Sequence, residues 1–334
     1  MNVHMNNQEI SAQRSLPLVA AIATLLVLLS AEGCGGSNAK EQPKRTAGDD
    51  SALTSAPLQY ETFMTPPIPV VTKDRPANLD KTVFQATAAT LIYGKSDAVL
   101  VDTFMTVAQA SSLADWVESK HKNLTTIYIT HGHGDHWFGG GTLLQRFPNA
   151  KLVATPSVIA SMKGNESPQG LAIWNAAFPG QIPDNLVMAE ELKDGVIQLE
   201  GQELKAMELG HTDTDNTTCL YVPSIGLIVA GDAVYNDVHL YLIESGAPQR
   251  QEWLAALDKL DALHPRAVVA SHKRPDSPDD PKNIDETRKY IRDFDRLAAS
   301  TKTAQELYDQ MLALYPKRVN PGYALWGSAQ AAKK

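Results

Sequence analysis

Cysteine is scarce: Cys34 and Cys219 are the only two among 334 residues, too few for a disulfide framework. Long apolar runs are missing as well. The stretch from Leu16 to Leu29 falls short of the ~20 residues that a membrane-spanning helix needs. Positive charge is the third shortage, with 30 Lys and Arg against 38 Asp and Glu and a formal net charge of −8. That balance argues against sequence-independent binding of nucleic acid, which depends on clustered cations neutralising phosphates. No repeat of short period runs along the chain, which excludes a solenoid. A main globular region acting on small molecules is the expectation left standing.

The N-terminus reads as an export signal over residues 1–33: Arg14 precedes the apolar run, and small residues follow in SAEGCGGS. The residues Ala31, Glu32 and Gly33 ahead of Cys34 resemble the lipobox of bacterial lipoproteins, although Leu is usual where Ala31 stands. The resemblance implies an exported protein anchored to a bacterial membrane through a lipidated Cys34, facing the periplasm or the exterior. Plain signal cleavage and an uncleaved anchor stay open. An acylated Cys34 leaves Cys219 without an intramolecular partner. Residues 34–59 are polar and rich in Gly, Ser and Pro, the composition of a flexible tether.

The main domain is expected over residues 60–283, with short β-rich runs and amphipathic helices alternating from about Thr82, and residues 284–334 read as a helical, structural extension. Apolar positions recur at three- and four-residue spacing in 107–120 and 251–263, the stripe of a helix lying on a sheet. Two further helices are expected in IDETRKYIRDFDRLAAS and TAQELYDQMLALYP, the second opened by Thr303 and stopped by Pro316. Residues 160–190 carry Trp174 and Phe178 among Gly, Pro and Asn. This segment reads either as a cover over a pocket or as a surface excursion pinned by its aromatics.

The densest signal is THGHGDHWFGGG, where His131, His133, Asp135 and His136 follow a β-like run. Alternate residues at a strand end project the same way, so His131 and His133 can meet one ion while Asp135 and His136 turn toward another. Imidazole and carboxylate are common zinc ligands. HGHGDH resembles the H-x-H-x-D-H motif of the metallo-β-lactamase superfamily, and three further pieces follow in that family's order: His211 in ELGHTDTDN, Asp232 in IVAGDAVYND and His272 in VVASHKRP. The resemblance covers about residues 82 to 275. It implies an αββα sandwich of α/β class with two zinc ions per chain. His131, His133 and His211 would hold one ion, Asp135, His136 and His272 the other, and Asp232 would bridge them. Asp102, ending AVLVD, is similar to the family's aspartate close behind the metals.

Two such ions lower the pKa of a bridging water toward ~7 and polarise a carbonyl, which is hydrolysis machinery without a serine or cysteine nucleophile. Asp135 or Asp232 would carry the proton to the leaving group. Tyr235 looks like the tyrosine that positions the substrate carbonyl in acyl-homoserine lactonases, or else it is a buried neighbour of the site. Thr212, Asp213 and Asn216 are either turn residues or supports that fix ligand tautomers. Cys219 reads as a strand-core residue, because the cysteine of one β-lactamase subclass occupies the place of Asp232. Asp232 and His136 together point to the glyoxalase-II-like and lactonase-like branches, opening an ester, lactone or β-lactam carbonyl. The alternatives are a glutathione thioester hydrolase, for which Lys273 and Arg274 would supply the cations, an iron-dependent oxidoreductase of the same fold, and a non-catalytic metal-binding lipoprotein.

Overall fold

Alternate residues of a strand point to opposite faces, and in this chain both faces of the central strands meet apolar partners. The computed structural model describes residues 56–334; the export segment, Cys34 and most of the tether lie outside them. The chain begins with β1 (Gln59–Met64), the short pair β2 (Ile68–Pro69) and β3 (Val83–Phe84), then β4 (Ala88–Tyr93), β5 (Asp97–Val101), α1 (Val107–Ser119) and β6 (Asn123–Tyr128). Next come α2 (Gly134–Trp137), α3 (Gly140–Arg146), β7 (Lys151–Ala154), α4 (Pro156–Glu166), α5 (Pro168–Ala177) and β8 (Glu190–Glu191). The second half adds β9 (Val196–Leu199), β10 (Gln202–Gly210), β11 (Thr217–Val222), β12 (Leu227–Val229), β13 (Tyr235–Asn236) and α6 (Ala247–Asp261). It ends with β14 (Ala267–Val269), β15 (His272–Lys273), α7 (Asn283–Ser300), α8 (Ala304–Leu314) and α9 (Trp326–Ala331).

One sheet has the order β1-β4-β5-β6-β7-β8 and the other β14-β12-β11-β10-β9. Strands β5 to β8 run parallel, and a parallel strand buried on both faces is apolar throughout rather than alternating. Along β5, Val99 and Val101 share one buried cluster with Ile197, Leu220 and Val269 of the second sheet. Ala98 and Leu100 face the other way, onto Leu113 and Val117 of α1. Beyond the second sheet, Cys219 and Ile228 pack on Trp253 and Leu257 of α6 and on Phe294 of α7. The result is the four-layer αββα sandwich, with Cys219 in a strand core as expected. Each buried Val or Leu contributes about 1.5–3 kcal/mol, so a carboxylate at Val99 would open the joint between the sheets.

The amphipathic helices have clear local causes. Thr106 and Gln109 form a capping box at the start of α1, and Ala110, Leu113, Ala114 and Val117 form its buried stripe. Thr303 and Glu306 do the same for α8, which ends at Tyr315 before Pro316. Leu58 is already buried between the sheets, so the ordered chain starts just ahead of residue 60. Residues 284–334 share the core of the second sheet through Ile284, Phe294, Leu307 and Leu325. The 160–190 segment holds the end of α4 and all of α5, and its Trp174 and Phe178 pack with Phe84.

Candidate metal centre

Five loops leave strand ends and converge. Asp102 follows β5, His131 to His136 follow β6, His211 to Asp213 follow β10, Asp232 follows β12 and His272 follows β14. The β6 loop is fixed from within, since Trp137 Nε1 donates to the Gly132 carbonyl at 3.0 Å. Gly132 also lies against α4 so closely that a Cβ there would sit 2.6 Å from Ser161 Cβ and 2.7 Å from its carbonyl carbon. Asp102 itself adopts φ +64°, a left-handed conformation that costs energy outside glycine and clusters at functional sites.

Four imidazoles are each gripped by one ring nitrogen and offer the other to a common centre. His136 Nδ1 donates to Asp102 Oδ2 at 2.8 Å, and His272 Nδ1 to the Ala86 carbonyl at 3.1 Å. His131 Nδ1 lies 3.1 Å from Thr130 Oγ1, and His133 Nε2 lies 3.1 Å from Glu244 Oε1. Asp102 is fixed in turn by the Thr130 amide at 2.9 Å and the Thr130 hydroxyl. Such outer partners fix the tautomer and aim of metal-binding histidines.

The inward atoms meet carboxylates. His272 Nε2 is 3.2 Å from both Asp135 Oδ2 and Asp232 Oδ2, and His136 Nε2 is 3.3 Å from Asp135 Oδ2 and 3.5 Å from Asp232 Oδ1. Nevertheless His131 Nε2, His136 Nε2, Asp135 Oδ2, Asp213 Oδ2 and Asp232 Oδ1 are buried with no aligned hydrogen-bond partner. An unsatisfied buried polar group costs about 1–3 kcal/mol, and more when charged, so five at one point is the arrangement of a cation site. Three overlapping sets form: His131, His133 and Asp213; His131, His136 and Asp232; Asp135, His136 and His272, with the ligand atoms of each set within 4.8 Å of one another.

The structure therefore brings together six of the seven residues expected as ligands and leaves His211 outside. His211 Nδ1 is 2.6 Å from Asp215 Oδ1 and its Nε2 is 3.0 Å from Ser245 Oγ, so both ring nitrogens face other partners. Asp213 stands in the place expected for it, with Oδ2 2.9 Å from His133 Nδ1 and 3.6 Å from His131 Nε2. The β10–β11 pairing shifts register between Glu208 and Gly210, and Gly210 takes φ +88°. The turn that follows carries Asp213, rather than His211, to the centre.

Histidines and carboxylates in this cluster offset one another's burial. Burial works against charge on His272, but Asp232 and Asp135 outweigh it and push the imidazole up to about 9. Burial, aided by neighbouring His136, pushes His131 down to about 4. Burial also opposes ionisation of Asp135 and Asp213, yet the adjacent histidines hold both carboxyls well below the ordinary range. Divalent cations compete with protons for these atoms, so metal binding weakens as pH falls.

Of the two readings of Tyr235, the structure shows the buried neighbour of the site. It is fully buried, and its hydroxyl donates to Asp232 Oδ2 at 2.8 Å. Burial and Asp232 raise its pKa well above the ordinary value, so it stays a donor. It stands behind the aspartate, away from the cavity. That cavity, of about 380 Å³, has Asp135, Asp232, His133 and His272 at its floor and Phe84, Ile173, Trp174, Phe178, Tyr241 and Tyr323 in its walls. Residues 160–190 thus both pin themselves to the core and wall the pocket. Tyr323 corrects the purely structural role expected of the C-terminal segment.

Glu244, Tyr241 and Tyr323 had no sequence signal of their own, because each comes from a segment without a motif. Asp213 had one: it lies two residues past His211. Thr212 Oγ1 donates to Asp213 Oδ1 at 2.9 Å, and Asn216 Nδ2 reaches Ser161 Oγ at 3.1 Å. Both act as supports. His239 lies apart from the cluster, buried with its Nδ1 3.0 Å from the Tyr290 hydroxyl.

Comparison with known proteins bears on the family and the fold. Hydroxyacylglutathione hydrolases are similar over a short stretch: that of Francisella tularensis subsp. novicida (strain U112) is 38% identical over 64 residues, 19% of this chain and 24% of that one. The match thus spans about a quarter of the curated relative's length. A metallo-beta-lactamase family protein from Thermus thermophilus superposes with a TM-score of 0.55 at 20% identity, covering 81% of this chain and 91% of that one. A metallo-beta-lactamase from Pontibacter korlensis gives 0.51 at 18% identity, covering 71% and 96%. These two share the fold. Residues 83–272 match the family model described as the metallo-beta-lactamase superfamily, and with more than half of its length inside that match the chain belongs to this superfamily.

Proposed function

We propose that the chain is a dinuclear zinc hydrolase that opens the carbonyl of an uncharged ester or lactone. The observation that carries this reading is the cluster of five buried ligand atoms without aligned partners, of whose residues Asp135 and Asp232 reach the floor of a cavity with aromatic walls. A pair of zinc ions held there would supply hydroxide at neutral pH and polarise the carbonyl. The chain's own residues do the rest. Asp102, Ala86 and Glu244 hold His136, His272 and His133 in aim. Asp135 and Asp232 border the cavity and are placed to pass a proton to the leaving group. The walls of Phe84, Trp174, Phe178 and Tyr323 take the apolar part of the substrate and exclude water.

Charge selects the substrate class. Among the described residues no lysine or arginine lines the cavity, while Glu244 does. Burial works against the charge on Glu244, but its bond to His133 outweighs it and keeps the carboxyl below its ordinary range. Glutathione thioesters and β-lactams both bring carboxylates, which this wall would repel. The two cations that would serve a glutathione substrate are engaged elsewhere: Lys273 is buried against Asp279, and Arg274 bonds to the Lys317 carbonyl.

The test is hydrolysis by the zinc-loaded protein of a neutral aryl ester, a lactone, a β-lactam, a glutathione thioester and a phosphoester. The expected result is a kcat/KM for the ester or lactone tenfold or more above the others, about 1.4 kcal/mol, abolished by chelator. Preference for the thioester or the β-lactam would overturn the reading. Export and lipid anchoring at Cys34 belong to the proposal as well, since multiple acyl chains give stable anchoring. Mass spectrometry of the mature N-terminus tests them, and an unmodified start at another residue would refute the anchor.

A further inference from the structure

We infer that Asp213, and not His211, completes the first metal site, so that the two ions share matched sets of two imidazoles and two carboxylates. The inference rests on the dinuclear reading above. Asp213 is fully buried, and its Oδ2 has no aligned hydrogen-bond partner while lying 2.9 Å from His133 Nδ1 and 3.6 Å from His131 Nε2. Its Oδ1 accepts from Thr212 Oγ1 at 2.9 Å, which fixes the direction of the free oxygen. The paired arrangement is filled on the other side by Asp135, His136 and His272, with Asp232 in reach of His131 and His136. The first set is then His131, His133, Asp213 and Asp232. The second is Asp135, His136, His272 and Asp232.

His211 has a different task. Its Nε2 meets Ser245 Oγ, which in turn donates to the Thr212 carbonyl at 2.7 Å, and its Nδ1 meets Asp215. The imidazole braces the turn that delivers Asp213, as a positioning residue. Exchanging an imidazole for a carboxylate also changes the electrostatics. Asp135, Asp213 and Asp232 offset three of the four positive charges of two divalent ions, where a site built on His211 would offset two. A less positive centre attracts anionic substrates less, in the same direction as the cation-free cavity wall. A more oxygen-rich site is also harder in its donor character.

The assignment is tested on the full-length chain loaded with zinc, passed through a desalting column and assayed for metal by plasma mass spectrometry. Wild type should carry about two ions, Asp213→Asn about one, and His211→Asn and His211→Gln, which keep a polar group to brace the turn, about two. X-ray absorption of the wild-type zinc protein gives a reading that needs no variant: four imidazoles over two ions are expected, and five would overturn the inference. Loss of an ion in a His211 variant that keeps the wild-type circular dichroism spectrum would overturn it too, as would two ions retained by Asp213→Asn. Wild type without tightly bound metal would instead refute the dinuclear reading itself, so the two failures are distinguishable.

Discussion

Replacing Tyr235 by Phe removes one oxygen and nothing else, and the structure says what that oxygen does. It donates to Asp232 Oδ2 at 2.8 Å inside a fully buried environment. A hydrogen bond to a charged group contributes about 1.5–3 kcal/mol, and Phe preserves the packing against Trp253 and His272. A loss near 2 kcal/mol corresponds to a melting temperature lower by about 4–8 °C for a domain of this size. Because the ring stands behind Asp232 and does not line the cavity, KM should hold within about twofold while kcat falls by up to about tenfold. Differential scanning fluorimetry and steady-state kinetics on one metal-analysed sample measure both. An unchanged melting temperature with a kcat loss of ~10² or more would mean that the hydroxyl serves the substrate oxyanion instead, and the positioning role would be refuted.

Three further outcomes follow from the same geometry. Asp102→Asn keeps a residue type that tolerates φ +64° but presents an amide to His136 Nδ1, so metal affinity should fall about 10–100-fold; calorimetric titration with zinc measures it, and an unchanged Kd would contradict the role of Asp102. Gly132→Ala drives a Cβ into Ser161, including its backbone, and should displace the His131–His136 loop, lowering both melting temperature and bound zinc; wild-type values for both would show that α4 yields freely. Ile173, 70% exposed on the cavity wall, offers apolar surface to the substrate, so Ile173→Ser should raise KM for a long-chain neutral ester about tenfold, roughly 1–1.5 kcal/mol, with kcat and zinc content unchanged. Equal KM values would place the apolar group of the substrate elsewhere.

The parts of this molecule legible in its sequence are those fixed by local pattern. The H-x-H-x-D-H spacing after a strand, the apolar runs ending at Asp232 and His272, and the start of α8 at Thr303 each depend on neighbours a few residues away. Residues whose role depends on a turn's path were not legible. Asp213 and His211 lie two positions apart, and the irregular pairing at Glu208 to Gly210 decides which of them reaches the centre. Tyr235 lies three residues past Asp232 in both readings; only the packing of α6 and β15 around its ring shows that it faces the aspartate rather than the cavity. The cavity wall is the extreme case, since Phe84, Trp174, Tyr241 and Tyr323 come from four separate segments that share no motif.

The central claim is that two metal ions occupy the cluster formed by His131, His133, Asp135, His136, Asp213, Asp232 and His272. Anomalous diffraction from crystals of the zinc-loaded protein, collected on both sides of the zinc edge, tests it most directly. The account predicts two anomalous peaks within this cluster, about 3.5–4 Å apart, one beside His131, His133 and Asp213 and the other beside Asp135, His136 and His272. A single peak, or zinc bound only outside these residues, would contradict it.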